Sequence, residues 1–265
     1  MNTNKNLTID EALSIAITKH QQNKLNEAQI LYNKILEVNP NHTQVLSNLG
    51  AIFNQLGEKL KAKNYFEKAI ELNPNYPDAH NNLGVIFKET GETFKAKDCY
   101  EKAIELNPNY IEAYNNLGII LKILGEYKRS ISCHEKAIEL NPNYIEAYNN
   151  LGNVFQELGE NLKAKDCYEK AIQLNPNYVH SYWNLHGLST NIEEALSLLK
   201  KLHKIDNEHT KAKIMIAALE GYKGNFKMFD EVLNSSNSNH PSVRSVKWVF
   251  SLEKLPNIFF NRWLF

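Results

Sequence analysis

Three evenly spaced cysteines, one of them beside a histidine, are the residues of this chain whose types and spacing first suggest metal or redox chemistry. Cys99, Cys133 and Cys167 are each 34 residues apart, and a histidine follows the second of them at position 134. Neighbouring packed helices lie about 8–10 Å apart, whereas the Cα atoms of a disulfide lie about 4.4–6.8 Å apart. Adjacent residues of a helix point about 100° apart, and no CxxC or paired-histidine spacing is present. We therefore predict reduced thiols at half-buried helix positions and a core-edge His134, with metal binding the less favoured alternative.

Two rows of asparagine amides offer a second kind of chemistry, namely hydrogen bonding to a peptide. One row is Asn48, Asn82, Asn116, Asn150 and Asn184, and the other is Asn81, Asn115 and Asn149. A carboxamide carries both a donor and an acceptor, so it can pair with the backbone of an extended chain of any sequence. Each such bond contributes only about 0.5–1.5 kcal/mol net, so affinity would need several of them. The rows predict either contacts to a ligand or braces between neighbouring repeats, and both interpretations stay open.

These residues recur because the chain itself repeats every 34 residues. The stretch EKAIELNPNYIEAYNNLG runs from Glu101 to Gly118 and again, unchanged, from Glu135 to Gly152. Four repeats follow one another without a gap and a looser one precedes them; they begin at Ile9, Thr43, Pro77, Ile111 and Ile145. We number the residues within each repeat from position 1 to position 34.

Each repeat is predicted to form two helices. Residues at positions 4, 7, 8 and 11, and again at 20, 24 and 27, follow helical spacing and are small or apolar in most repeats. The glycine at position 15, Gly57 in the second repeat, suits a left-handed end of the first helix, and the Asn-Pro pair at positions 31 and 32 ends the second. Thr8 and Glu11 have the spacing of a capping box, which predicts that the first helix begins there.

This pattern of small and large residues resembles the tetratricopeptide repeat. The resemblance implies an all-α fold, a right-handed superhelical solenoid of antiparallel helix pairs with a divergent C-terminal helical cap. One repeat cannot bury its apolar face alone, so neighbours must stack. The expected organisation is a disordered N-terminus over 1–8, five repeats over 9–178, divergent repeat-like helices over 179–233, a linker over 234–242, and an apolar segment over 243–265 that is either a cap or the start of a missing domain.

One face of the first helix is the candidate binding surface. Because a helix turns about 100° per residue, positions 2, 6, 9 and 13 lie opposite the packing positions, and the resemblance implies that they line a concave groove. In repeats two to five, and in a degraded sixth repeat that contains Asn184, these positions carry no Lys or Arg, and position 2 carries Asp78, Glu112 and Glu146. We predict that these carboxylates and both asparagine rows bind an extended peptide that is neutral or basic. The asparagines at position 6 also resemble those of the O-linked N-acetylglucosamine transferases, whose repeats guide substrate chains toward a separate catalytic domain.

Composition and motifs argue against other classes of function. Lys+Arg and Asp+Glu both number 30, so the chain has no positive excess to attract nucleic acid or anionic lipid. No signal peptide or stretch of membrane-spanning length is present, which favours a cytoplasmic location. No phosphate loop, dinucleotide fingerprint, GxSxG elbow or HExxH helix appears, so we predict no catalytic residues, no cofactor and no metal site, and a protein that is not an enzyme.

The preferred function is therefore an interaction scaffold that binds a protein or peptide ligand. One alternative is the substrate-recruiting N-terminal arm of a glycosyltransferase or methyltransferase whose catalytic domain is absent from the chain. A further alternative is self-association through the aromatic segment after residue 242, since an exposed aromatic cluster tends to find a partner.

Overall fold

The computed structural model describes residues 7–225, and within that range the chain forms thirteen α-helices and no strand. The all-α repeat solenoid expected from the sequence is confirmed. The helices are α1 Ile9–Gln21, α2 Leu25–Val38, α3 Thr43–Gln55, α4 Lys59–Leu72, α5 Pro77–Glu89, α6 Thr93–Leu106, α7 Ile111–Ile123, α8 Tyr127–Leu140, α9 Ile145–Glu157, α10 Asn161–Leu174, α11 Val179–His186, α12 Ile192–Ile205 and α13 Thr210–Tyr222. The predicted linker over 234–242 and the apolar segment over 243–265 lie outside the described residues.

The chain divides into two compact units, Met1–Pro142 and Asn143–Phe265. In the first unit the helices pack as the pairs α1–α2, α3–α4, α5–α6 and α7–α8, and the second helix of each pair also packs against the first helix of the next. The second unit repeats this arrangement with α9–α10 and α11–α12, followed by α13 against α12. The first helices of successive pairs also contact one another, as α3 does α5 and α5 does α7.

The helix ends follow from the local sequence. The Thr8 Oγ1 accepts a hydrogen bond from the Glu11 N–H at 3.2 Å, and the Glu11 carboxylate accepts one from the Thr8 N–H at 2.9 Å, which confirms the capping box. Gly57 and Gly91 adopt φ angles of 78° and 80°, as a left-handed turn between paired helices requires. The 34-residue spacing of these turn glycines thus fixes where each pair turns back on itself.

Small residues let the paired helices approach closely, and large ones fill the space between them. The alanines at positions 20 and 27, such as Ala96 and Ala103, are fully buried. At position 24 the aromatic rings of Phe66 and Tyr100 are also buried, each against the glycine at position 8 of its own repeat. The core is therefore built around one contact, between the glycine at position 8 and the ring at position 24, that recurs in repeats two to five.

The repeat pattern degrades after residue 178, as the sequence predicts. Helix α11 has only eight residues, and α12 begins at Ile192, where the Asn191 side chain accepts a hydrogen bond from the Glu194 N–H at 2.8 Å. Leu199 and Leu202 of α12 are fully buried, so the shortened pair still packs a core of its own. Gly224 has a φ of 87° and ends the described part of the divergent C-terminal helices.

Candidate binding surface

The carboxylates at position 2 lie at the exposed surface of the first helices. Asp78 on α5 and Glu112 on α7 are exposed in the first compact unit, and Glu146 on α9 is exposed in the second. At position 13, Glu89 forms an ion pair with Lys59 at 3.1 Å, so its charge is partly offset. The two position-2 carboxylates of the first unit are therefore the main negative charges that this face presents.

Asp78 and Glu112 lie close to the same phenol, that of Tyr110. Burial raises the pKa of Tyr110, and the Asp78 charge, a hydrogen bond to Asp78 and the Glu112 charge raise this pKa further. Tyr110 is half-buried at the start of α7, the helix that carries Glu112, and its hydrogen bond reaches Asp78 on α5. A neutral hydroxyl flanked by carboxylates of successive repeats gives this part of the surface a negative potential, which favours a cationic group.

The asparagines at position 5 lie behind the surface. Asn81, Asn115 and Asn149 are only 5–6% exposed. They were predicted from the sequence to bind the ligand together with the position-6 row, but their burial leaves them little area to offer a ligand. The spacing of residues along one helix could not predict this burial, because the neighbouring repeat, rather than their own helix, covers these asparagines.

The two asparagine rows are joined by hydrogen bonds between successive repeats. In the first unit the Asn116 Nδ2 donates to the Asn81 Oδ1 at 3.2 Å. In the second unit the Asn184 Nδ2 donates to the Asn149 Oδ1 at 3.0 Å and to the Asn153 Oδ1 at 2.9 Å. The position-6 amide of one repeat therefore braces the position-5 amide of the preceding repeat, so the bracing role left open by the sequence is realised here.

Asn82 departs from this pattern. The preceding repeat carries Ser47 at position 5, and the Ser47 hydroxyl pairs with Tyr76. Within residues 7–225 no hydrogen bond engages the Asn82 amide, which is half-buried on the same face as Asp78, one helical turn away. Asn48 and Asn150 are half-buried too, and the Asn48 Nδ2 donates to the Tyr32 hydroxyl at 3.1 Å. Asn82 is consequently the amide of this row best placed to meet a peptide group.

The difference between Asn82 and Asn116 predicts different costs for their removal. Asn116→Ala leaves the buried Asn81 Oδ1 without its donor, so we expect the free energy of unfolding to fall by about 1–2 kcal/mol. Asn82→Ala removes no hydrogen bond and is expected to change it by less than about 0.5 kcal/mol. Urea unfolding followed by circular dichroism measures both. Equal losses in the two variants would show that Asn116 does not brace the repeats.

A polar cleft of about 800 Å³ lies between α1, α2 and α3. It is lined by Ile17, His20, Gln21, Asn23, Leu25, Tyr32, Gln44, Asn48 and Gln55. Asn48 was predicted from the sequence as a site residue, and the other side chains were missed. Gln44 and Gln55 stand at positions 2 and 13, so their spacing alone could have identified them. His20 and Tyr32 belong to the loosely matching first repeat, whose alignment gives no such signal.

The cysteines and His134 are packing residues. Within residues 7–225 Cys99, Cys133 and Cys167 form no disulfide and are half-buried, and burial raises the pKa of the Cys99 thiol to about 12 and of the Cys133 thiol to about 11. These two thiols are therefore protonated and weakly nucleophilic at neutral pH. His134 is 1% exposed and packs against Gly118. Among residues 7–225 no group of three His, Cys, Asp or Glu side chains is arranged to hold a metal ion.

None of the helices in the described range 7–225 combines the length and the apolar character needed to cross a bilayer.

Family models place the repeats in a known class. A tetratricopeptide repeat model matches residues 43–76, 77–110 and 145–178, another matches 99–132, and a TPR repeat model matches 120–159. These matches run without a gap from residue 43 to residue 178, just over half of the 265 residues. No curated protein matches the chain.

Solved structures share the fold. The chain is similar to MamA with 27% identity and a TM-score of 0.53, over 64% of this chain and 92% of that one. It is similar to PilF of Pseudomonas aeruginosa with 21% identity and a TM-score of 0.69, over 80% of this chain and 97% of that one. It is also similar to YrrB, described as a TPR protein with an unusual peptide-binding site, with 24% identity and a TM-score of 0.54, over 68% and 95%.

Proposed function

Since this chain belongs to the tetratricopeptide repeat family, we propose that its first helices bind an extended peptide segment of another protein. Repeats of this family serve in general as non-catalytic scaffolds for protein interaction. The proposed site in the first compact unit comprises Asp78, Asn82 and Glu112, with Asn48 and Asn116 as flanking amides. Glu146, Asn150 and Asn184 are the corresponding groups of the second compact unit.

The proposal rests mainly on the Asn82 amide, which has no hydrogen-bond partner within residues 7–225 and lies beside the exposed carboxylate of Asp78. Asp78 and Asn82 are four residues apart on α5 and therefore face the same way. The Asn82 carboxamide can donate to a peptide carbonyl and accept from a peptide N–H, while Asp78 can pair with a cationic side chain. Together they supply one contact that is independent of ligand sequence and one that selects its charge.

The proposed ligand is neutral or basic and extended. Asp78 and Glu112 around Tyr110 favour a Lys or Arg side chain and disfavour a carboxylate. Packed helices lie about 8–10 Å apart and an extended residue spans about 3.3 Å, so successive repeats would meet every third residue of the peptide. A ligand with cations three residues apart would therefore reach the position-2 carboxylates of two successive repeats.

Charge reversal at position 2 tests the proposal. A phage-displayed library of random dodecapeptides is panned on the immobilised chain, and the enriched peptides are measured by fluorescence anisotropy. The double variant Asp78→Lys/Glu112→Lys is expected to weaken their binding at least about tenfold, because it brings like charges together. Its matched control, Glu105→Lys/Glu139→Lys, makes the same charge change at position 29 of the same two repeats, on exposed second-helix residues, and should leave binding unchanged. Enriched peptides that bind both variants like the parent would contradict the proposed site.

A further inference from the structure

The cleft between α1, α2 and α3 differs chemically from the surface around Asp78. Among the described residues that line it there is no Asp, Glu, Lys or Arg. Burial lowers the pKa of His20, and a hydrogen bond to Gln55 only partly opposes that effect, so the ring is neutral at pH 7. The lining is therefore uncharged, although its amides, hydroxyl and imidazole are strongly polar.

The polar groups of the cleft are partly held in place and partly free to turn. The Asn48 Nδ2 donates to the Tyr32 hydroxyl at 3.1 Å, and the His20 ring lies edge-on to that of Tyr32, with the centroids 6.4 Å apart. Gln21 and Gln44 are exposed at the rim of the cleft. The held groups offer fixed hydrogen-bonding positions, and the two exposed glutamines can adapt to what enters.

We propose that this cleft binds an uncharged polar peptide segment, rich in Gly, Ser, Thr, Asn or Gln, as an extension of the site around Asp78; this inference rests on the proposed function. Amide groups satisfy both the donors and the acceptors of a peptide backbone. A charged side chain entering the cleft would lose water without gaining a counter-charge, which is costly. Ile17 and Leu25 add apolar wall for the aliphatic carbons of such a segment.

The alignment of positions 2 and 13 along successive repeats favours an extended chain that continues beyond the cleft, rather than a compact ligand. Gln44 occupies position 2, which is Asp78 in the next repeat, and Gln55 occupies position 13, which is Glu89 there. A peptide lying along these rows would pass from the amides of the cleft to the carboxylates of α5 and α7. The expected ligand thus has an uncharged stretch that is followed by cationic residues.

The test uses two fluorescein-labelled peptides measured by anisotropy. The first has the sequence Ser-Asn-Gly-Thr-Gln-Gly-Lys-Ala-Ala-Lys, and the second replaces its Asn and Thr with Glu. We expect the first to bind at least about tenfold more tightly to the parent chain. The double variant Gln44→Glu/Gln55→Glu places two negative charges in the cleft and should weaken the first peptide about tenfold. The control, Gln173→Glu, makes the same change at an exposed position 29 where the four other repeats already carry Glu, and should have no effect.

Each result separates this inference from the proposed function. If both peptides bind the parent equally, or if Gln44→Glu/Gln55→Glu has no effect while Asp78→Lys/Glu112→Lys abolishes binding, the cleft inference is wrong and the proposed function stands. If neither these peptides nor any library peptide binds, both are wrong. Displacement of the first peptide by maltotriose at equal concentration would assign the cleft to neutral sugars and overturn the inference.

Discussion

Gly84→Ala is expected to lower the free energy of unfolding by about 3 kcal/mol, at the upper end of the usual cost of overpacking. A methyl group at Gly84 would lie 2.7 Å from the Cε1 of Tyr100, well inside the distance of about 3.5–4.0 Å that carbon atoms prefer. The Tyr100 ring is fully buried, so it cannot move into solvent to relieve the contact. The two helices of the repeat must separate instead. Urea unfolding followed by far-ultraviolet circular dichroism measures the loss.

Two further variants show whether the loss comes from this contact. Gly91→Ala meets no atom within 4 Å but must adopt a φ near 80°, so it is expected to cost only about 1 kcal/mol of backbone strain. On a Tyr100→Leu background, where the ring is gone, Gly84→Ala should cost less than about 1 kcal/mol more. A penalty for Gly84→Ala that matches that of Gly91→Ala, or that persists without the ring, would contradict the close approach of the two helices.

The period of the sequence predicted the helices well because it encodes this same contact in repeats two to five. Helices α3, α5, α7 and α9 begin at Thr43, Pro77, Ile111 and Ile145, the first positions of the repeats identified from the spacing of Leu, Gly and Pro. The glycine at position 8 and the ring at position 24 are far apart in sequence, yet both recur with the period. Tertiary packing within a repeat is therefore visible as sequence periodicity, which is uncommon in a protein without repeats.

The candidate site was predicted less completely because it depends on contacts between repeats. Position 5 points about 100° around the helix from position 6, and only the following repeat decides that Asn81 is covered while Asn82 is half-exposed. The bond from Asn116 to Asn81 spans 35 residues, one more than the period, so it is invisible to a pattern aligned on 34. His20 of α1 lines the cleft and forms a hydrogen bond with Gln55 of α3, a contact that a weakly matching first repeat does not specify.

His134 should make the array sensitive to mild acid. It is 1% exposed, its Nδ1 is buried without a hydrogen-bond partner within the described residues, and burial, assisted by the nearby charge of Lys122, lowers its pKa to about 4. In the unfolded chain the pKa is about 6.5. At a pH between these two pKa values the imidazole is therefore protonated in the unfolded state and neutral in the folded state. Stability contributed by the neutral ring is therefore complete above pH 6.5 and falls as the pH drops toward 4. The loss amounts to about 2 kcal/mol at pH 5 and roughly 3 kcal/mol near pH 4.

His134→Phe should remove this dependence, because the second repeat already carries Phe66 at the same position against Gly50. Denaturation midpoints measured from pH 7.5 to pH 4.5 are expected to diverge, with the variant retaining about 2 kcal/mol more stability at pH 5. Other groups that titrate in this range are common to both proteins, so the difference between the two curves isolates the imidazole. His180→Gln, which replaces an exposed histidine, serves as the control and should follow the parent curve. Parallel curves for the parent and His134→Phe would mean that the ring takes up its proton while the repeat stays folded. That result would contradict the tight packing of the side chain at position 24.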